Sequence, residues 1–175
     1  MTDKADKKIY WVEGVTKKEV IEYLTDDKPS VFRNQSNRKA LVAALSISII
    51  FLTLTILIDH PKIKSYAEFF LMAAILLFYI LLRKAVRLLA DAPSELLDER
   101  QIQLRNNAYL YAYRWMTYIV LVYFCCYFVI NRDSSFALFS KDENHFPILF
   151  FSICAWMASL PSMVLAWSMT SEKNE

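Results

Sequence analysis

The sequence predicts an all-α integral membrane protein, a four-helix bundle with both termini in the cytoplasm and a third helix that extends into the cytoplasm. Three observations lead there. Of 175 residues, 56% are hydrophobic and one is glycine, whereas a soluble domain carries ~45–50% apolar residues with glycine counted in. The apolar excess is gathered into four blocks, separated by segments that hold nearly all the charge, a distribution that suits lipid rather than a soluble core. The basic residues, finally, alternate between the two sides of those blocks.

Residues 1–39 are polar and lack an N-terminal hydrophobic region, so no cleavable signal peptide is expected and the first block serves as an uncleaved signal-anchor. Within them Thr16-Lys17-Lys18-Glu19 reads as a capping box, with Val15 and Val20 at staple positions. The helix it starts, over about 16–25, presents Val20, Ile21 and Leu24 on one face. A helix that short does not hold alone in water, so it is expected to dock, with Tyr10, Trp11 and Val12 as nearby apolar surface. The stretch from Thr25 to Lys39 reads as a polar linker.

The first span is expected over 40–58. Ala40 to Ile58 carries no charge, and twelve of its residues are Leu, Ile, Val or Phe, which favour insertion by roughly 4–7 kcal/mol together. Ser46, Ser48, Thr53 and Thr55 can return their hydroxyls to the helix's own carbonyls. The second span, 67–86, has an uninterrupted apolar run of 14 residues, Phe69 to Leu82, short for a crossing. Arg83, Lys84 and Arg87 extend it by snorkelling at one end, with Glu68 at the other, and twenty residues reach about 30 Å.

The third helix is expected to run unbroken over 91–130, with Asp91 and Ser94 as candidate N-caps around Pro93. Glu95 to Asn107 is charged and belongs in water or at the interface. Trp115 to Ile130 is uncharged, and Tyr109, Tyr111, Tyr113, Trp115 and Tyr118 form an aromatic belt where the helix enters the bilayer. The fourth span, 146–169, is uncharged and interrupted by Pro161, which membrane helices tolerate when neighbours satisfy the freed carbonyl. Ala158, Ser162 and Ala166 recur every four residues, as do Ala155 and Ser159; such spacing admits close approach of another helix, either a second copy or a neighbour in the same bundle. Residues 170–175 form a short tail.

Orientation follows from the basic residues. The N-terminal segment holds nine, 83–114 six and the tail one, against two each in the 59–68 and 131–145 loops. Sixteen of twenty thus share one side if all four helices span, and the positive-inside rule makes that side cytoplasmic.

Composition excludes several functions. A net charge of +2 without a basic stripe gives no case for nucleic acid. Cys125, Cys126 and Cys154 sit inside apolar blocks and imply no disulfide framework; adjacent Cys125 and Cys126 lack CxxC spacing and a neighbouring His, so they read as buried small residues rather than a metal or redox pair. His60 and His145, near Asp59 and Glu143, leave a shared metal site conceivable in the outer loops. With Gly14 the sole glycine, no phosphate cradle can form, and no HExxH, GxSxG or P-loop occurs. No cofactor is expected.

The most distinctive string is Leu97-Asp98-Glu99-Arg100-Gln101, followed by Arg105, Ala108-Tyr109 and Ala112-Tyr113-Arg114. On a helix, positions 98, 101, 105, 108 and 112 share one face and 100, 103, 107, 110 or 111, and 114 another. Asp98, Glu99, Arg100, Gln101, Arg105 and Arg114 are therefore candidates for partner docking or gating; the plainer alternative is a solvated face with local ion pairs. The string resembles a family of uncharacterised bacterial multi-pass membrane proteins, many from actinobacteria, that carry an LDERQ-type motif and an AYxxAYR pattern leading into a membrane helix. Leu160-Pro161-Ser162-Met163-Val164-Leu165-Ala166-Trp167 is similar to the LPxxVLAW-like end of their last helix. The resemblance covers roughly 94–114 and 158–168, and Arg105-Asn106-Asn107 stands where that family typically has Arg-Asp. It implies a bacterial plasma-membrane location and architecture, with no activity to carry over.

The favoured expectation is a non-enzymatic membrane component whose partners are the bilayer and either a second copy or an unidentified protein. A small oligomeric pore or transporter is the alternative, with Ser46, Ser48, Thr53 and Thr55 facing a lumen. Against it, no ionisable residue lies near the middle of a span, where transport sites place one; Glu68 reads as interfacial. An intramembrane enzyme would need a paired nucleophile and base, and none can be assigned.

Overall fold

A computed structural model describes residues 9–10, 15–16, 21–22, 34–58, 60–86, 89–90, 92, 94–132 and 146–169. Four long helices carry the fold: α1 (Gln35–Leu54), α2 (Pro61–Ala85), α3 (Glu99–Arg132) and α4 (Phe146–Ser168). Ahead of them, β1 (Ile9–Tyr10) and β2 (Val15–Thr16) form a two-residue antiparallel pair with Ile9 opposite Thr16. Ile21 and Glu22 are helical, within the short helix expected there. Glu19 and the rest of that helix, the loop 133–145 and the tail 170–175 lie outside the described residues.

Each helix starts where local chemistry permits. Asn34, in an extended conformation, accepts the Ser36 N–H at 3.4 Å, so α1 begins five residues ahead of the expected span and takes in the end of the linker. Its hydroxyls return to the helix as anticipated: Ser46 donates to the Val42 carbonyl at 2.8 Å, Ser48 to Ala44 at 2.8 Å and Thr55 to Leu52 at 2.7 Å. A 3₁₀ turn, Thr55–Leu57, closes it. Helix α2 starts at Pro61, six residues before the expected boundary, because proline fits the first helical position, where its missing N–H costs nothing. Arg83 and Lys84 occupy its last turn, where cations complement the negative end of the helix dipole. Pro147 sits in the first turn of α4, and the helix continues through Pro161.

Helix α3 corrects an expectation. Rather than running unbroken from residue 91, the chain makes a 3₁₀ turn at Ser94–Leu96 and starts a new helix at Glu99. Ser94 therefore opens the turn and not the long helix; Asp91 and Pro93 lie outside the described residues. At 34 residues α3 is about 50 Å long, well beyond the ~30 Å of a hydrocarbon core.

Helix α4 packs against the other three, α1 packs against α2 and α4, and α3 lies chiefly along α4. The centre holds Leu45, Ile49 and Leu52 of α1, Leu82 of α2 and Leu165 of α4, all fully buried. Helix directions alternate. Lys39, near the start of α1, lies 5.0 Å from the ring of Trp167 at the end of α4, while Thr53, near the end of α1, meets Ser152, near the start of α4. Lys39, Arg83 and Trp167 thus mark a common basic end.

Three helical segments, Gln35–Leu57, Pro61–Ala85 and Phe146–Ser168, are long and apolar enough to cross a membrane. Large apolar side chains such as Phe51, Phe69, Phe70, Leu76 and Phe150 stand exposed on their outer faces, far more than a soluble monomer leaves to water. The remaining expected span, in α3, is not among the three found in the described residues.

Candidate functional site at the α2–α3 junction

The distinctive string proves to be a helix start with a purpose for each inward residue. The Gln101 side chain reaches back to accept the Asp98 backbone N–H at 3.2 Å, which is the reciprocal half of a capping box with Asp98 as N-cap. The first backbone bond runs from Ile102 N–H to the Asp98 carbonyl at 2.9 Å. Leu97, buried, and Ile102, packed on the same core, occupy the two hydrophobic-staple positions, which fixes the angle at which the chain enters α3.

Two turns into α3, the motif reaches back to the preceding segment. Arg105 donates through Nη1 to the Ala92 carbonyl and through Nη2 to Ser94 Oγ at 3.1 Å. Tyr109 donates its hydroxyl to the Ala90 carbonyl at 2.9 Å. Ala90 and Ala92 are buried, so these donors satisfy carbonyls that water does not reach. Ala108 and Ala112 are buried beside them. Alanine is small enough to let α3 lie close, and this accounts for the alternation of Ala and Tyr: alanines inward, tyrosines outward.

The two expected faces differ in burial, with Asp98 the exception on the first. Gln101, Arg105, Ala108 and Ala112 turn inward, while Arg100, Gln103, Asn107, Leu110, Tyr111 and Arg114 are exposed. Asp98 and Glu99 are also exposed. Arg114 lies 5.8 Å from the Tyr111 ring. The six candidate residues thus separate into two that build the junction, Gln101 and Arg105, and four that it displays.

The small-residue stripe separates likewise. Ser162 and Ala166 are buried within the bundle and Pro161 is half-buried, but Ala158 is exposed. Ala158, with Ala155 and Ser159, borders a cleft of about 230 Å³ between α2 and α4, floored by Leu45 and lined on the α2 side by Met72, Ile75, Leu76 and Tyr79.

A cluster near the other end of α1 escaped sequence reasoning. Thr53 Oγ1 lies 2.7 Å from the Tyr123 hydroxyl of α3, 3.2 Å from Ser152 Oγ of α4 and 3.1 Å from its own Ile49 carbonyl. A hydroxyl has one proton and two lone pairs, so Thr53 donates to Ser152 or Ile49 while it accepts from Tyr123. Thr55 approaches Glu68 Oε1 at 3.5 Å, the limit of a hydrogen bond. Because α2 starts at Pro61, Glu68 lies two turns inside that helix instead of at its outer end. Arg38, counted in the sequence only as an orienting charge, is buried.

Cys125 and Cys126 are exposed on α3 instead of buried as expected, and Cys154 is half-buried. His60 is exposed; His145, Glu143 and Asp59 lie outside the described residues. Among the described residues no group of three His, Cys, Asp or Glu is placed to hold a metal.

No family model, curated protein or solved structure matches the chain. What the junction does must therefore be argued from its own geometry.

Proposed function

We propose that the chain is a four-span bacterial plasma-membrane protein with both ends in the cytoplasm, a non-enzymatic component whose α2–α3 junction docks a protein partner or a second copy. The observation that carries this reading is the division of labour within one motif. Leu97, Gln101, Ile102, Arg105 and Tyr109 are spent on holding the junction rigid. Asp98, Glu99 and Arg100 stand exposed on its first turn, with no ion pair among the described residues. Local ion pairs, the plainer alternative, do not absorb them. A rigid mount with unspent charges suits recognition, since opposed charges across an interface set register and partner choice.

The fourth crossing is supported by direction. Tyr109 of α3 is bonded just past the end of α2, and Tyr123 is bonded near the end of α1. The uncharged part of α3 therefore runs alongside the helices that are apolar enough to span. The charge alternation favours the same arrangement.

The hydroxyl bonding weighs against the pore alternative. Ser48 and Thr55 are buried and bonded to helix carbonyls, and Thr53 is engaged by Tyr123 and Ser152. The test is a photo-crosslinking amino acid at position 99 in intact membranes, with one at Lys62, on the opposite side, as control. A discrete protein adduct from position 99 alone is expected. Adducts to lipid only would refute docking.

A further inference from the structure

The cleft between α2 and α4 has a feature that its apolar lining alone would not suggest: it leads toward a cluster of cations. Tyr79 lines it, and the Arg83 guanidinium lies 5.6 Å from the Tyr79 ring, one helical turn nearer the basic end. Lys84 is adjacent and exposed. Across the cleft's floor, Leu45 is six residues from Lys39 along α1, about 9 Å, and Lys39 rests on Trp167. Each of the three helices that wall the cleft thus brings a cation or an interfacial aromatic ring to the same end.

The cleft itself offers almost nothing polar. The Ser159 hydroxyl in its wall already donates to the Ala155 carbonyl at 2.7 Å. An apolar cavity of ~150 Å³ accepts benzene, so about 230 Å³ takes roughly nine carbons of chain by proportion. That is too short for a helix and too featureless to orient a polar small molecule. A hydrocarbon tail is the occupant that suits the lining, and an anionic headgroup is the one that suits Arg83, against the Tyr79 ring one turn beyond the cleft, with the exposed Lys84 next to it in sequence.

We propose that the α2–α4 cleft is a binding site for an anionic phospholipid, one acyl chain lying between Leu45, Leu76 and Ala158 and the phosphate held by Arg83 and Lys84. This rests on α1, α2 and α4 lying in a bilayer, and is independent of docking at the α2–α3 junction.

The experiment uses the full chain, extracted from membranes and reconstituted into nanodiscs of phosphatidylcholine with a minority of phosphatidylglycerol of matched acyl chains. Lipid retained after re-extraction is counted by native mass spectrometry. Phosphatidylglycerol should be retained about tenfold or more over its share of the bilayer, since each surface cation near an anionic lipid contributes ~1 kcal/mol. Ala158→Trp, which fills the cleft from an exposed position, should lose both lipids, and Ala155→Leu serves as a second filling variant if the first does not fold. Arg83→Gln with Lys84→Gln should keep a bound lipid but lose the preference. Equal retention of the two lipids by the unaltered chain, or undiminished phosphatidylglycerol in a folded cleft-filled variant, would overturn the site while leaving the membrane reading intact. Recovery of the chain in the soluble fraction would overturn both.

Discussion

Arg105→Ala tests whether the junction is held as described. The substitution removes two charge-assisted donors at once, one to the Ala92 carbonyl and one to Ser94 Oγ. Hydrogen bonds to charged groups contribute ~1.5–3 kcal/mol each, and leaving a buried acceptor without a partner costs ~1–3 kcal/mol. Ala92 is 1% exposed, so its carbonyl bears the full penalty, whereas the bond to Ser94 is solvent-exposed and contributes little. The expected loss is about 2–3 kcal/mol, falling on the segment around 90–98. Hydrogen–deuterium exchange on the chain in detergent micelles should show amides near Leu97 and Ile102 exchanging roughly 30- to 150-fold faster, the rate equivalent of that energy. Arg105→Lys should recover only part of it, because a single ammonium does not reproduce the fork of the guanidinium. Arg100→Ala, exposed on the same helix, should leave exchange unchanged. Equal protection in Arg105→Ala and the unaltered chain would refute the idea that this arginine fastens the junction.

Three further outcomes follow from the packing. Thr53→Val and Tyr123→Phe should each destabilise the fold modestly, and a double-mutant cycle by thermal or chemical denaturation should give a coupling of ~0.6–1.7 kcal/mol; a coupling of zero would mean the 2.7 Å contact carries no energy. Ser162→Leu and Ala166→Leu, at buried positions, should cost ~1–3 kcal/mol by overpacking, while Ala158→Leu, exposed, should be tolerated; the reverse order would return the stripe to a dimer face. Leu45→Ala, at the floor of the cleft, should cost ~2–5 kcal/mol in a melting experiment, and a smaller loss would indicate that lipid fills the space left behind.

Much of this arrangement was legible in the sequence because its signals are local. Uncharged length exposed α1 and α4, flanking arginine and lysine recovered α2, and the hydroxyls of Ser46, Ser48 and Thr55 bonded back as their chemistry dictates. Two boundaries were missed although their signals were present. Pro61 marks the start of α2 as a first-position proline, but Lys62 and Lys64 beside it read as loop charges. Asp98-x-x-Gln101 spells a capping box, but Asp91 and Ser94 around Pro93 offer competing N-caps a few residues upstream. The Thr53–Tyr123–Ser152 cluster could not be read at all. Its members lie 70 and 99 residues from Thr53, and no periodicity links hydroxyls on different helices.

The central place of α4 bears on how the protein is made. It follows the other three in chain order, yet each of them packs against it. Until it arrives, Thr53 has no Ser152, Lys39 has no Trp167, and α3 lacks the surface along which it lies. Domains that close locally can complete themselves while the ribosome is still at work. Here α1, α2 and α3 all precede the helix they pack on, and a nascent chain halted before residue 146 would hold an open set of helices, exposed to quality-control proteases in a way the chain with α4 in place is not.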